Sequence, residues 1–275
     1  MAKEVKFFTL LALFAFSCKS PSLQQPTLSK DASYDIEVKP LHVRIDQLNN
    51  LLIVDDKNFI HRYTNQTEKL FTYNDNTLGL ISHVDVTDPL KIVVYKKDYG
   101  VAIFLDNTLS EMDRINLYEN GYTEIPCLAS SNDGNLWIYD YTDYRIKKIR
   151  QDGKVLLESM SMLDFGLQSI QPFYMQERLG KLILQDENNG IFLFDNLGQF
   201  IQQFPFKLRN EVQFDGNNLC FIEADQFTCY HVERYQEVST PIKEQKKSGL
   251  KNIKAGDNNF YFIYPNGIDI VPKRS

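Results

Sequence analysis

One pattern constrains this chain more than any other: a short apolar run, β-branched or aromatic, returns six times. The runs are Leu51-Leu-Ile-Val-Asp55, Lys91-Ile-Val-Val-Tyr95, Asn135-Leu-Trp-Ile-Tyr139, Lys181-Leu-Ile-Leu-Gln185, Asn218-Leu-Cys-Phe-Ile222 and Asn259-Phe-Tyr-Phe-Ile263, spaced by about 42 residues. Each is bounded by Asn, Asp, Gly or Lys, the mark of a buried strand, and no helical periodicity competes. Similar neighbours surround every run. A preceding strand is expected at Leu41–Gln47, His83–Asp88, Glu124–Ser130, Gln171–Glu177, Glu211–Asp215 and Leu250–Ala255. A third is expected at Phe59–Tyr63, Val101–Asp106, Arg145–Arg150, Ile191–Asp195, Phe227–Val232 and Ile268–Pro272. A fourth follows at Lys69–Tyr73, Met112–Leu117, Val155–Met160, Phe200–Phe206 and Val238–Ile242, and the sixth unit reaches Ser275 without one.

One strand stands before the first unit, Tyr34-Asp-Ile-Glu-Val-Lys39, alternating apolar and charged residues. Paired as the outer strand of the last unit, it closes a ring and removes the free edge of an open array. The expected fold is therefore all-β: a six-bladed β-propeller of four-stranded antiparallel blades, closed by the N-terminal strand. Leucine-rich and helical repeats do not fit, because they need helical segments between the strands. The 15 Tyr and 19 Phe against 13 Gly lean the same way.

The third unit carries the fullest motif: Asn132-Asp-Gly-Asn-Leu-Trp-Ile-Tyr-Asp140, then Asp143-Tyr-Arg-Ile-Lys-Lys-Ile149, then Gln151-Asp-Gly-Lys154. It resembles the NHL repeat, and 34–275 as a whole resembles six-bladed NHL-like propeller lipoproteins of the Bacteroidetes type. The motif residues read as structural. Asp140 is suited to bond turn backbone donors, and Asp152-Gly153 suits a tight hairpin.

The first 17 residues read as a secretory signal, with Lys3 and Lys6 ahead of an apolar stretch from Phe7 to Phe16. That stretch is shorter than the roughly 20 residues of a membrane-spanning helix. Ala15-Phe16-Ser17-Cys18 resembles a lipoprotein lipobox, with Ala15 where Leu is usual. The resemblance implies a lipidated Cys18 as mature N-terminus, and acyl chains at about 0.8 kcal/mol per buried CH₂ anchor stably. Residues 18–33 form the lipidated cysteine and a polar tether. Lys19 is not the Asp of inner-membrane retention, and no acidic export cluster follows Cys18. The expected location is the outer membrane of a bacterial envelope, periplasmic side.

Thirty basic and 36 acidic residues leave a net charge of −6 with the signs interleaved, so nucleic acid is not an expected partner. Only four histidines occur, and HExxH, GxSxG, GxGxxG, P-loop and CxxC motifs do not. His42, His83, Asp85 and Glu124 lie on expected inner strands, and the likeness to six-bladed lactonases and lyases makes His83, Asp85 and Glu124 weak candidates for an axial metal. Ordinary polar channel lining is the preferred reading, with no catalytic residue, metal or cofactor expected. His61 and His231 fall on third strands, away from the axis. Cys220 and Cys229 face each other if their hairpin turns at Ala224-Asp225, as a disulfide or as two buried thiols. Cys127 reads as a lone core residue.

Binding fits such a disc better than catalysis. The loops joining second to third strands and blade to blade share one face, expected to carry Tyr99, Tyr118, Tyr122, Asp140, Tyr141, Asp143, Tyr144 and Phe165. Tyrosine among acidic neighbours is the composition of a protein-binding surface. The sequence thus suggests a noncatalytic envelope scaffold for a protein partner, in outer-membrane assembly or transport. Its rivals are a metal-dependent lactonase- or lyase-like enzyme and a sugar- or peptide-binding module.

Overall fold

The computed structural model describes residues 34–167 and 169–273. The expected signal, the expected lipidation site Cys18 and the expected tether lie outside the described residues. A short strand, β1 (Tyr34–Ile36), comes first, and the chain then lays down strands four at a time. Blade one is β2 (Pro40–Ile45), β3 (Leu51–Asp55), β4 (Ile60–Tyr63) and β5 (Lys69–Tyr73); blade two is β6 (His83–Asp85), β7 (Ile92–Lys96), β8 (Val101–Leu105) and β9 (Glu111–Asn116). Blade three is β10 (Leu128–Ser130), β11 (Leu136–Asp140), β12 (Arg145–Ile149) and β13 (Val155–Glu158); blade four is β14 (Pro172–Arg178), β15 (Lys181–Asp186), β16 (Gly190–Asp195) and β17 (Phe200–Phe204). Blade five is β18 (Gln213–Phe214), β19 (Asn218–Glu223), β20 (Gln226–His231) and β21 (Gln236–Pro241). Blade six has β22 (Asn252–Ala255), β23 (Asn259–Tyr264) and β24 (Gly267–Pro272), and β1 lies antiparallel to β24 as its fourth strand, with Ile36 opposite Ile268.

The six expected blades are present, and their second strands fall within a residue of the apolar runs. Strands β3, β7 and β11 are buried at every position. Apart from β14, the innermost strands are shorter than expected, where their ends bond to the neighbouring blade or lack an amide for their own ladder. The Val212 amide donates to Gln185 Oε1 at 3.1 Å, so β18 keeps two residues, and Pro126 has no amide to extend β10. Strand β1 stops at Ile36 rather than Lys39, where the chain crosses to blade one and the Lys39 carbonyl accepts from the Asp56 amide at 3.0 Å.

The core is six apolar layers, one between each pair of neighbouring blades. Leu52, Val54, Val84 and Val94 belong to the layer of blades one and two; Ile36, Val43, Ile53, Tyr261 and Ile270 belong to the one joining blades six and one. A polar clasp crosses each layer. Asn58 accepts from the Ile81 amide at 2.7 Å, Tyr95 Oη donates to the Ile125 carbonyl at 2.8 Å, and Tyr141 Oη donates to the Ile170 carbonyl at 2.9 Å. Gln185 binds the blade-five entry, Gln213 exchanges two hydrogen bonds with the Ala255 backbone, and Asn49 and Asp257 join blades one and six. Between blades three and four, the fully buried Trp137 donates its Nε1 to Glu177 Oε2 at 2.5 Å, and the Ser131 hydroxyl donates to the same oxygen at 2.8 Å.

Aspartates close many of the turns. Asp55 Oδ1 accepts from the Lys57 and Phe59 amides at 3.0 and 2.8 Å, and Asp106, Asp195 and Asp215 repeat the device. Burial alone would raise the Asp55 and Asp140 carboxyls. Hydrogen bonds from His61 to Asp55 and from Lys147 to Asp140, with the turn amides, outweigh it and hold both below their ordinary range. Carboxyls depressed in the folded state give the unfolded chain more protons in acid, so stability is full above the ordinary carboxylate pKa of about 4 and is lost as pH falls through the folded values. The melting temperature is therefore expected to hold near neutrality and to drop steeply below that point. A flat profile down to strongly acid pH refutes this assignment of the aspartates.

The β19–β20 hairpin turns at Ala224 and Asp225, both with positive φ (47° and 62°), the geometry of a two-residue turn matched to strand twist. Its register sets Cys220 opposite Cys229, and the two sulfurs are bonded. Cys127 is a buried free thiol, its pKa pushed up by burial.

Candidate functional site

Alternate antiparallel strands divide the loops between two faces. The turns after each blade's first and third strands make a hairpin face; those after its second strand, with the blade-to-blade links, make a crossover face. The axis joins them, lined by the first strands.

On the axis the dominant feature is a buried ion pair that the sequence reading missed. Arg44 meets Glu211 through two oxygens, Nη1 to Oε2 at 2.6 Å and Nη2 to Oε1 at 2.9 Å. Arg44 Nε donates to the Val84 carbonyl at 2.9 Å, Nη1 to the Val43 carbonyl at 3.1 Å, and Nη2 also to His83 Nδ1 at 3.3 Å. The guanidinium therefore has a partner at every nitrogen. Tyr174 packs beside it, with ring-to-guanidinium and ring-to-His83 separations of 5.5 Å each, and donates its hydroxyl to Gln176 Oε1 at 2.8 Å. Lys254 Nζ donates to the Glu211 carbonyl at 3.2 Å.

Charge here is mutually arranged. Burial alone would raise the Glu211 carboxyl, but Arg44, with His83 and Lys254, holds it well below the carboxylate range. Burial and then Arg44 push His42 down to about 4 and Lys254 down to about 8. The Tyr174 phenol is raised, chiefly by burial. The one local mark of this pair is a charged Arg44 on the inner strand β2; its partner Glu211 lies just before β18, far along the chain.

The weak metal candidates do not converge. His83 joins the Arg44 cluster, its Nε2 without a hydrogen-bond partner among the described residues. Asp85 instead accepts from the Thr87 and Ser130 amides at 2.7 and 2.9 Å, fastening blade two to blade three. Glu124 lies exposed on the crossover face. Among the described residues no group of three or more His, Cys, Asp or Glu is placed to hold a metal ion. The centre of the axis is taken by the protein's own cation. His61 lies off the axis, bonded to Asp55 at 2.8 Å, and His231 lies toward the hairpin face.

On the crossover face a hollow of about 460 Å³ is lined by Lys97, Asp98, Tyr118, Glu124, Pro126 and Tyr141, among others. Tyr118, 43% exposed, donates its hydroxyl to the Lys97 carbonyl at 3.0 Å. Its ring lies against Gly100 (φ +62°), where an added Cβ would come within 2.6 Å of it. Only glycine at that turn lets the tyrosine lie flat there. Tyr99 stands nearby in the chain, 47% exposed, over Gly79.

Two of the expected face residues, Tyr122 and Asp140, are buried, and Asp143, Tyr144 and Phe165 are partly tied down by neighbours. Tyr122 is buried at 7% exposure in the layer between blades two and three and donates to the Gly153 carbonyl at 2.7 Å; its ring has apolar neighbours on offer there. Asp140 is buried, accepting from Lys147 Nζ at 2.8 Å and the Thr142 amide at 2.9 Å, and Asp143 takes the same ammonium at 2.6 Å. Tyr144 is half-buried against the blade-three core and meets Tyr141 edge-on at 6.0 Å. Phe165, 36% exposed, meets Phe200 of β17 at a tilt, 4.7 Å between centroids, toward the outer rim. Tyr99 and Tyr118 are exposed and Tyr141 and Tyr144 half-exposed around this part of the face, with Phe165 exposed farther out.

No protein-family model matches the sequence, and no curated protein matches it. Among solved structures, the chain is similar to a streptogramin B lyase, at 14% identity over 89% of this chain and 87% of that one, with a TM-score of 0.58. It is also similar to virginiamycin B lyase from Staphylococcus aureus, at 15% identity over 86% and 81%, TM-score 0.57. The WD40 domain of Neurospora crassa Pan2 aligns over 84% and 78% at 9% identity, TM-score 0.54. These likenesses are of fold.

Proposed function

We propose that this chain is a noncatalytic, lipid-anchored propeller that docks a protein partner in the cell envelope, in outer-membrane assembly or transport. One observation carries the reading: the tyrosine-rimmed hollow of the crossover face, where Tyr118 and Tyr141 stand with Lys97, Asp98 and Glu124. Rigid aromatic rings with mixed charges around a concavity are what an interface anchor needs. The axial Arg44–Glu211 pair favours binding over metal-dependent chemistry, since both charges are spent on each other. The lipobox-like Ala15-Phe16-Ser17-Cys18 supports the anchor, the NHL-like third blade supports the lipoprotein resemblance, and Lys19 supports the outer membrane.

The test is cross-linking in intact cells followed by capture from solubilised membranes. The parent is expected to retain a defined partner, and Tyr118→Ala with Glu124→Lys to lose most of it with an unchanged melting temperature. Cys18→Ser is expected to leave the membrane fraction, or to keep its signal uncleaved, while its propeller still folds. Failure to find any partner under several mild conditions, or equal capture by the face variant, overturns the scaffold reading. A stoichiometric metal in the purified protein would favour the enzyme instead.

A further inference from the structure

The other mouth of the axis plays no part in that reading. On the hairpin face, reaching toward blades five and six, lies a hollow of about 530 Å³. That is within the range of about 300–1,000 Å³ typical of small-molecule sites. It shares Ile45, Val86, Gln176 and Gln213 with the small cavity of the axial cluster, so it opens directly above the Arg44 network.

Three cations line it: Arg178 at the end of β14, Arg234 in the turn between β20 and β21, and Lys273 just past β24. Among the described residues, none of these three side chains makes an ion pair or a hydrogen bond. Lys273 lies over the Phe260 ring at 5.1 Å. Of the acids in the same lining, Asp46 is paired with a cation, while Asp215 and Asp257 bond neutral donors and keep their charge. Asp46 accepts from Arg62 at 2.9 Å and from its own turn, Asp257 accepts from Asn49 at 2.6 Å, and Asp215 closes its turn while holding Asn218 at 2.9 Å. Burial pushes the Arg178 and Lys273 pKa values down, the response of cations taken from water without a close counterion. Gln176 and Gln236 add amide groups to the lining.

We propose that this hollow binds a small organic anion, a carboxylate or phosphate carried on a body the size of a sugar, with Arg178 and Lys273 as its main contacts and Arg234 at the rim. A guanidinium presents a planar fork to either oxyanion, and an ammonium adds a point charge. Asp215 and Asp257 reach Arg178 and Lys273 only at a distance, without an ion pair, and leave three cations facing two carboxylates, so an anion supplies the close contact and the missing charge.

Calorimetric titration of the full chain in detergent tests this, with glucuronate, glucose 6-phosphate and inorganic phosphate as probes and glucose as the neutral control. Glucuronate or glucose 6-phosphate is expected to bind saturably with a Kd below about 1 mM, more weakly as salt is added. Whichever binds identifies the oxyanion. Arg178→Gln and Lys273→Gln are each expected to weaken binding by roughly tenfold, and Arg178→Lys to retain more of it than Arg178→Gln. Arg178→Gln should leave the melting temperature unchanged, because among the described residues that side chain has no ion pair or hydrogen bond to lose, and Lys273→Gln should lower it only slightly, through the lost contact with the Phe260 ring. The proposal is overturned if neither sugar anion binds by about 10 mM, if inorganic phosphate or glucose binds as tightly as they do, or if the folded glutamine variants bind like the parent.

Discussion

Glu211→Gln is expected to destabilise the ring by about 3 kcal/mol, because it leaves the Arg44 guanidinium buried and unneutralised on the axis. For a domain of this size that is a fall in melting temperature of about 6–12 °C. Arg44 is held at every nitrogen by groups from blades one, two and five, so it has no route to water that does not break contacts between blades. The glutamine keeps the shape and one acceptor but not the charge. Removing both charges should recover much of the loss, since well-packed apolar replacements of a buried pair are often neutral or better. Thermal melts of Glu211→Gln, Arg44→Met and the double variant Arg44→Met with Glu211→Leu decide it. Single variants that melt with the parent would mean that the pair contributes nothing and that the axis is wet enough to solvate a lone cation.

The second large effect concerns ring closure. Deleting residues 19–32 is expected to leave the melting temperature unchanged, whereas deletion through Lys39 should lower it sharply. The longer deletion takes Ile36, 7% exposed in the layer between blades six and one, and the half-buried Val38 beside it. A buried side chain of this kind contributes roughly 1.5–3 kcal/mol, and β24 is left as an open edge that invites pairing with another chain. Against a net stability of about 5–15 kcal/mol the loss is a large fraction. Melts and size-exclusion profiles of the two truncations are the check. Similar melting near the full-length value would place the closing contact elsewhere.

The ring could be read from the sequence because burial is nearly complete along most of the second strands, leaving runs such as Leu51–Val54 and Leu136–Tyr139 without a charged position to confuse the period. First strands were harder to bound, since their ends trade ladder bonds for side chains of the next blade, as Val212 does with Gln185. The site was legible only in part. Loop order places Tyr118 and Tyr122 on one link, but composition does not say that the first lies on Gly100 at the surface while the second turns into the core. Arg44 and Glu211 stand far apart in the chain, and nothing local to either announces that the ring brings them to one axis.

Strand β1 also dictates an order of events. It is the first described strand to be synthesised, yet its partner β24 is the last, with Ile36 waiting for Ile268. Blades one to five can assemble from consecutive strands as they emerge, while the earliest strand has no template until the whole chain is out. Completion of the ring is thus the most non-local contact in the fold and the step that topology makes slowest. A chain emerging through a membrane end first would expose an unpaired apolar flank beside blade one for the whole of its passage, the interval in which a chaperone has something to hold.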